Sequence, residues 1–117
     1  MNVGGHAMER LECKCGYDND ILTVTLRGSV DHHNVRPVRE EIDRALYQCC
    51  AKQVVFDMSG IDFMDSSGLG LILGRYTKIT DMGGRMTLRG TSEEIMKIIE
   101  LAGMEKFIPI EGTPRRP

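Results

Sequence analysis

The chain has 117 residues, of which 15 are basic and 17 acidic, for a formal net charge of −2. This length predicts one domain, and the charge balance excludes a basic surface that could gather nucleic-acid phosphates. Aromatic residues make up 5% of the chain, too few for a platform on which bases stack. We find no apolar run near the ~20 residues of a membrane span and no signal peptide. We therefore expect a soluble, cytoplasmic protein that binds neither nucleic acid nor a membrane.

The two ends of the chain show no periodic pattern. We expect residues 1–8 to be a flexible N-terminus or a remnant of expression, and residues 112–117 to be a disordered tail. The domain itself is predicted to span residues 9–111.

The domain opens with two alternating runs, Leu11–Cys15 and Leu22–Leu26, on either side of a polar stretch, Gly16–Asp20. Alternation of apolar and polar residues indicates half-buried strands, so the two runs predict an antiparallel hairpin joined by a turn over that stretch. Apolar residues then recur at three- and four-residue steps from Val35 to Cys49, which is the spacing of one helix face.

The apolar run Gln53–Met58 predicts a central strand covered on both faces. Ser59-Gly60 is expected to end this strand, and Ile61, Phe63 and Met64 to fix the following loop onto the core. A second amphipathic helix follows the loop; it ends at Gly83-Gly84, and its apolar face is predicted to comprise Leu69, Ile72, Leu73, Tyr76 and Ile79.

The last third of the domain repeats this alternation. Arg85–Arg89 predicts a strand, Thr91 and Glu94 fit a capping box that opens a third helix, and Phe107–Ile110 predicts a short edge strand because Pro109 cannot donate to a ladder. The predicted class is α/β: a mixed sheet of four to five strands with an N-terminal antiparallel hairpin, covered by three to four helices on at least one face.

The stretch Met64–Gly70 opens the second helix with an acidic residue and two serines. A helix N-terminus leaves four N–H groups unpaired and carries roughly half a positive charge. Asp65, Ser66 and Ser67 can all cap those donors, and a plain capping role is the simplest interpretation of Ser66. Its hydroxyl is also expected at the surface near the end of the sheet, which favours a regulatory phosphorylation site over a catalytic serine.

Two glycines inside the second helix, Gly70 and Gly74, each cost roughly 1 kcal/mol relative to alanine. Close packing of the helix on the sheet is the favoured explanation for them. A surface that receives a partner is the alternative.

Three enzymatic interpretations of the chain are weak. Gly68, Gly70 and Gly74 imitate a dinucleotide fingerprint, but the predicted loop before them is too long and nearby aspartates would face the pyrophosphate. Ser66 lacks the Gly-x-Ser-x-Gly elbow of a serine hydrolase. A metal site built on Asp31, His32 and His33 would need further ligands, and the sequence contains no second cluster of ligand residues. We therefore expect no enzymatic activity.

The four cysteines occur as two pairs, Cys13/Cys15 and Cys49/Cys50. Cys-x-Cys on a strand places both thiols on one face, whereas adjacent cysteines on a helix diverge, and neither pattern is the usual spacing of a tetrahedral zinc site. We expect reduced, partly buried thiols, and no metal or other cofactor.

The chain resembles the STAS-domain anti-sigma factor antagonists from about Leu11 to Ile110. The resemblance is carried by Gly-Ser-Val-Asp-His-His at 28–33 and by Phe-Met-Asp-Ser-Ser-Gly-Leu-Gly-Leu-Ile-Leu-Gly-Arg-Tyr at 63–76. Asp-Ser-Ser-Gly-Leu-Gly marks the family broadly, while Asp-His-His and Gly-Arg-Tyr point to its sporulation-type members.

The resemblance implies a switch that operates through phosphorylation. Ser66 corresponds to the serine that is phosphorylated in this family by a serine kinase that is itself the anti-sigma factor. The unmodified protein binds that kinase and releases the sigma factor, and a metal-dependent serine phosphatase restores the unmodified form. The implied partner-binding residues are Asp31, His32, His33, Asp65, Ser67, Gly68, Leu69 and Arg75.

We expect the chain to act as a monomer. The alternative function is that of a STAS sensing or scaffolding module within a larger signalling assembly or a regulator of a transporter.

Overall fold

Five strands and three α-helices alternate along residues 10–111, the part of the chain that the computed structural model describes. The strands are β1 Leu11–Asp18, β2 Ile21–Val30, β3 Gln53–Met64, β4 Arg85–Arg89 and β5 Ile110–Glu111, and the helices are α1 Val35–Cys49, α2 Ser66–Asp81 and α3 Glu93–Leu101. A single 3-10 turn, Met104–Lys106, lies between α3 and β5. The predicted α/β class and element order are confirmed; the predicted ends, 1–8 and 112–117, lie outside the described residues.

The strands form one mixed sheet in the order β1-β2-β3-β4-β5. β1 and β2 pair antiparallel, and the other three pairs are parallel. Apolar residues of all three helices pack with the inward-facing residues of the strands in one core. Each helix connects two neighbouring parallel strands, and right-handed connections that always step in the same direction place every helix on the same face of the sheet. The sheet therefore has one face covered by helices.

The central strand is buried on one face only. Val54, Phe56 and Met58 are buried, whereas Asp57 is half-buried and Ser59 is exposed. The prediction that helices cover both faces of this strand is therefore wrong. Alternating burial is what a sheet with one solvated face requires.

The turn of the hairpin is shorter than predicted. β1 continues to Asp18, which pairs with Ile21, so only Asn19 and Asp20 form the connection. Both residues have positive φ, 52° and 65°. Two-residue hairpin turns favour this backbone because its twist matches that of the strands, and Asn and Asp tolerate it.

β3 does not end at Ser59-Gly60, as predicted, but runs on to Met64. The pairing of β3 with β2 shifts register between Thr25 and Arg27, and Arg27 pairs with Gly60. An irregularity of this kind bends a strand without ending it. Consequently only Asp65 separates β3 from α2, and the predicted long loop, one of two grounds against a dinucleotide site, does not exist. The other ground, the aspartates near the glycines, is unaffected.

The inward face of α2 differs from the predicted one. Leu71 and Arg75 are buried, while Leu73, predicted to face the core, is 44% exposed. A β-carbon on Gly68 would lie 2.0 Å from Met64 Cγ, whereas one on Gly70 or Gly74 would meet nothing within 4 Å. Gly68 is thus the glycine that close packing requires, and the packing explanation for Gly70 and Gly74 is wrong.

The start of α3 also differs by one residue from the prediction. Ser92, not Thr91, is the N-cap, and its hydroxyl oxygen accepts a hydrogen bond from the backbone N–H of Ile95 at 3.2 Å. Thr91 is buried. β5 is a short edge strand, as predicted, but it comprises Ile110–Glu111 and not the predicted Phe107–Ile110. No helix within residues 10–111 is long and apolar enough to cross a membrane.

Candidate functional site

The candidate site begins at the junction between β3 and α2. Asp65 is the N-cap of α2: its Oδ1 atom accepts a hydrogen bond from the backbone N–H of Ser67 at 2.8 Å. Ser66 is the first residue of the helix and is exposed. The interpretation of Ser66 as a plain cap is therefore wrong, because its neighbour performs that function.

The same junction is attached to the end of β2. Val30 pairs with Met64 at the ends of the two parallel strands, and the backbone N–H of Asp65 donates to the Val30 carbonyl at 3.1 Å. The segment after β2 and the segment after β3 therefore meet at the carboxyl edge of the sheet, where parallel folds place their binding sites. His32 Nδ1 lies 3.8 Å from Asp65 Oδ2 across this junction.

The loop between β2 and α1 is ordered by its own side chains. Asp31 Oδ1 accepts hydrogen bonds from the backbone N–H groups of His33 and Asn34, at 2.9 and 3.1 Å. Asn34 in turn accepts from the backbone N–H of Asp31 at 3.0 Å and donates to the Ser29 carbonyl at 2.8 Å. Asp31 thus holds the loop in shape, as Asx turns do.

The two histidines of this loop are exposed, and the centroids of their rings lie 3.9 Å apart. His32, which lies beside Asp65, and His33, whose ring contacts that of His32, add to the polar surface near Ser66. Of the other predicted site residues, Ser67 and Leu69 are half-buried in the first turn of α2.

Two of the predicted partner-binding residues lie inside the protein. Gly68 is buried against Met64. The Arg75 side chain is 6% exposed, and its Nε atom lies 3.0 Å from Asp43 Oδ1 on α1. Burial lowers the pKa of Arg75, which the Asp43 carboxylate opposes. In this structure Arg75 joins α1 to α2 and does not present its guanidinium to a partner.

Two apolar residues that were predicted to pack against the core, Phe63 and Leu73, are exposed instead. Phe63, predicted to fix a loop onto the core, is 54% exposed, and Leu73 lies two helical turns beyond Ser66 on the same side of α2. Residues at i, i+4 and i+7 share a helix face, so Ser66, Gly70 and Leu73 form one exposed stripe. The absence of side chains at Gly70 and Gly74 leaves Leu73 accessible from the solvent.

A family model for the STAS domain matches residues 17–115, and the chain belongs to this family. This confirms the resemblance found in the sequence. The fold just described, a mixed sheet with an N-terminal hairpin, is shared with solved members of the family.

The chain is similar to the anti-sigma F factor antagonist of Paenibacillus polymyxa, with 34% identity over 100 residues that cover 86% of each chain. It is 33% identical to the anti-sigma F factor antagonist of Lysinibacillus sphaericus over 85 residues, 73% of each chain. Among solved structures, the unphosphorylated anti-sigma factor antagonist SpoIIAA matches with a TM-score of 0.74 and 27% identity, covering 85% of this chain and 87% of that one. The phosphorylated form of the Bacillus protein SpoIIAA matches with a TM-score of 0.68, covering 85% of this chain and 90% of that one.

Proposed function

We propose that this protein is an anti-sigma factor antagonist controlled by phosphorylation of Ser66. The unmodified chain binds a serine-kinase anti-sigma factor and thereby frees the sigma factor, and the phosphorylated chain does not bind. The observation that supports this most strongly is the position of Ser66: an exposed hydroxyl on the first turn of α2, with the capping bond of that helix supplied by Asp65. A kinase can therefore modify Ser66 without breaking the cap.

The local electrostatics support a switch that is operated by one phosphate. A phosphate adds about −1.5 to −2 charges at pH 7, and the N-terminus of a helix tolerates an anion, so the fold survives the modification. Asp65, however, is the covalent neighbour of Ser66, and Asp62 is exposed on the preceding strand. The added charge and bulk therefore change the surface that a partner meets and leave the core intact.

The similarity to both forms of SpoIIAA supports this view. Structures of that protein in its unphosphorylated and phosphorylated forms match this chain with TM-scores of 0.74 and 0.68. Because both forms of that protein match the same fold, phosphorylation does not abolish this fold there, which supports a switch that acts through the surface around Ser66.

In this proposal the chain is a regulatory protein and not an enzyme. The anti-sigma factor kinase adds the phosphate to Ser66, and a metal-dependent serine phosphatase removes it, because an exposed serine is accessible to both enzymes. Since sigma and anti-sigma factors act on transcription, the proposed place of action is the cytoplasm.

The direct test is phosphorylation by a purified kinase-type anti-sigma factor with ATP, followed by mapping of the phosphopeptide by mass spectrometry. The unaltered chain should incorporate one phosphate, on Ser66, and Ser66→Ala should incorporate none. Any phosphate that Ser67→Ala incorporates should also lie on Ser66, whatever the rate at which this variant of a predicted partner-binding residue reacts. Ser67→Ala is the matched control because it removes the adjacent, half-buried hydroxyl. Phosphate on Ser67, or equal incorporation into Ser66→Ala, would contradict the proposal.

A further inference from the structure

A second cluster of reactive side chains lies on the hairpin strand β1. Cys13 and Cys15 are two residues apart on this strand, so their side chains share a face, and both pack against the core on the side covered by helices. Their Sγ atoms are 4.0 Å apart. The carboxylate of Glu41, from the middle of α1, completes a group whose ligand atoms all lie within 4.8 Å of one another.

The geometry of this group suits a tetrahedral metal. Zinc binds thiolate sulfur at about 2.3 Å, so two sulfurs of one tetrahedral zinc site lie about 3.8 Å apart. The separation of the two sulfurs here, 4.0 Å, is close to that value. A carboxylate oxygen is the third common zinc ligand, and three protein ligands leave a fourth position open to water.

The chemical nature of the ligands selects the class of metal. Two thiolates favour soft or borderline cations such as Zn²⁺ over Mg²⁺ and Ca²⁺, which prefer all-oxygen sites. Within residues 10–111, no salt bridge engages the Glu41 carboxylate. All three side chains are half-buried, so an ion can reach them without unfolding of the hairpin.

We propose that Cys13, Cys15 and Glu41 form a binding site for a thiophilic divalent cation, with Zn²⁺ as the best fit. Binding displaces the two thiol protons to solvent, forms two metal–sulfur bonds and one metal–oxygen bond, and changes no oxidation state. The sequence argued against zinc because Cys-x-Cys is not the usual spacing of zinc ligands, but the two sulfurs lie as far apart as one zinc ion requires and lack only a third ligand. The packing of α1 against β1 supplies that ligand, and the metal would join the hairpin to this helix.

The test uses the full chain, reduced with a non-thiol reductant and stripped with a chelator, and titrated with Co²⁺ as a spectroscopic substitute for Zn²⁺. We expect one equivalent to bind, with a thiolate-to-cobalt charge-transfer band and the intense d–d bands of tetrahedral cobalt. Added Zn²⁺ should abolish these bands and raise the melting temperature, because an ion that binds only the folded state stabilises it. Absence of these bands from the unaltered chain would overturn the proposal.

Two matched pairs of variants locate the site. Cys13→Ser/Cys15→Ser should lose the bands, while Cys49→Ser/Cys50→Ser, which removes the same number of thiols at the end of α1, should keep them. Glu41→Gln should weaken Co²⁺ binding by at least about tenfold, while Glu40→Gln, an exposed carboxylate one position away, should not. Circular dichroism of the metal-free variants checks that each is folded. If Cys13→Ser/Cys15→Ser does not fold, the comparison of Glu41→Gln with Glu40→Gln decides whether the site exists. Co²⁺ binding that survives loss of both thiols, or whose affinity is unchanged in Glu41→Gln, would overturn the assignment.

Discussion

Asp65 accepts a hydrogen bond from the backbone N–H of Ser67 at 2.8 Å, and this contact fixes the start of α2 while Ser66 remains unengaged in capping. Replacing the acceptor tests the contact. Asp65→Ala should lower the free energy of unfolding by about 1 kcal/mol, whereas Asp65→Asn should change it by much less, because asparagine caps helices as well as aspartate does. Urea denaturation of the two variants measures the difference. Equal losses would mean that the side chain stabilises the junction by its charge and not by the cap.

Alanine substitutions at two glycines of α2, Gly68 and Gly70, should change the stability of the protein in opposite directions. Gly68→Ala places a methyl group 2.0 Å from Met64 Cγ in the buried interior, and overpacking of this kind costs about 1–3 kcal/mol. Gly70→Ala meets nothing within 4 Å and should stabilise the protein by roughly 1 kcal/mol through helix propensity. Thermal unfolding of the pair checks both signs, and a destabilised Gly70→Ala would show that this face is not open.

Removing either partner of the ion pair between Arg75 and Asp43 should lower the free energy of unfolding, but by unequal amounts. The Arg75 side chain is 6% exposed and that of Asp43 is 23% exposed, so loss of the acid leaves a guanidinium with little access to water. Asp43→Ala should therefore cost about 3 kcal/mol, and Arg75→Met, which keeps the packing volume and leaves a partly solvated carboxylate, about 1 kcal/mol. Chemical denaturation ranks the two variants. The reverse order would mean that packing of Arg75, and not its charge, dominates at this contact.

The stability of the protein should depend on Asp57 in acid. Its Oδ1 atom accepts hydrogen bonds from the Ser59 hydroxyl at 2.7 Å and the Ser59 N–H at 3.0 Å. These bonds, with the neighbouring Arg89, hold the pKa of Asp57 below its ordinary value of 3.8. The ionised carboxylate thus stabilises the fold above pH ~4, and this contribution is lost as the pH falls through the lowered folded-state pKa.

Asp57→Asn should accordingly lower the free energy of unfolding by about 1 kcal/mol at pH 7, and this difference should shrink in acid below pH ~4. Asp62→Asn, an exposed carboxylate on the same strand, is the matched control and should have little effect at either pH. Denaturation curves at both pH values provide the measurement. A difference for Asp57→Asn that does not vary with pH would contradict the linkage.

The alternating and helical patterns predicted most elements of the fold because they record which residues face the core. These patterns gave wrong predictions where the pairing with a neighbouring strand determines where a strand ends. Ser59-Gly60 has the composition of a chain break, yet pairing with β2 carries β3 through it. The apolar residues Val54-Val55-Phe56 likewise favoured a strand covered on both faces, although Asp57, a charged residue within the same strand, was a sign that its second face is solvated.

The candidate site was predictable in its location and less so in its details. The acidic and serine residues before an apolar helix marked the junction, and the resemblance to a family pointed to Ser66. Which of Asp65, Ser66 and Ser67 provides the cap depends on backbone geometry that composition does not encode. The ion pair of Arg75 with Asp43 and the meeting of Glu41 with two thiols join residues far apart in the chain, so only the packed structure reveals them.

The central claim, that a negative charge at Ser66 abolishes docking, is tested most directly by measuring the affinity of three variants for a kinase-type anti-sigma factor by isothermal titration calorimetry. Gln53→Glu is the matched charge control, because Gln53 is exposed at the opposite end of β3. We predict that Ser66→Ala and Gln53→Glu bind as tightly as the unaltered chain and that Ser66→Asp binds at least tenfold more weakly, a difference of about 1.4 kcal/mol. Binding of Ser66→Asp as tight as that of Gln53→Glu would contradict the claim.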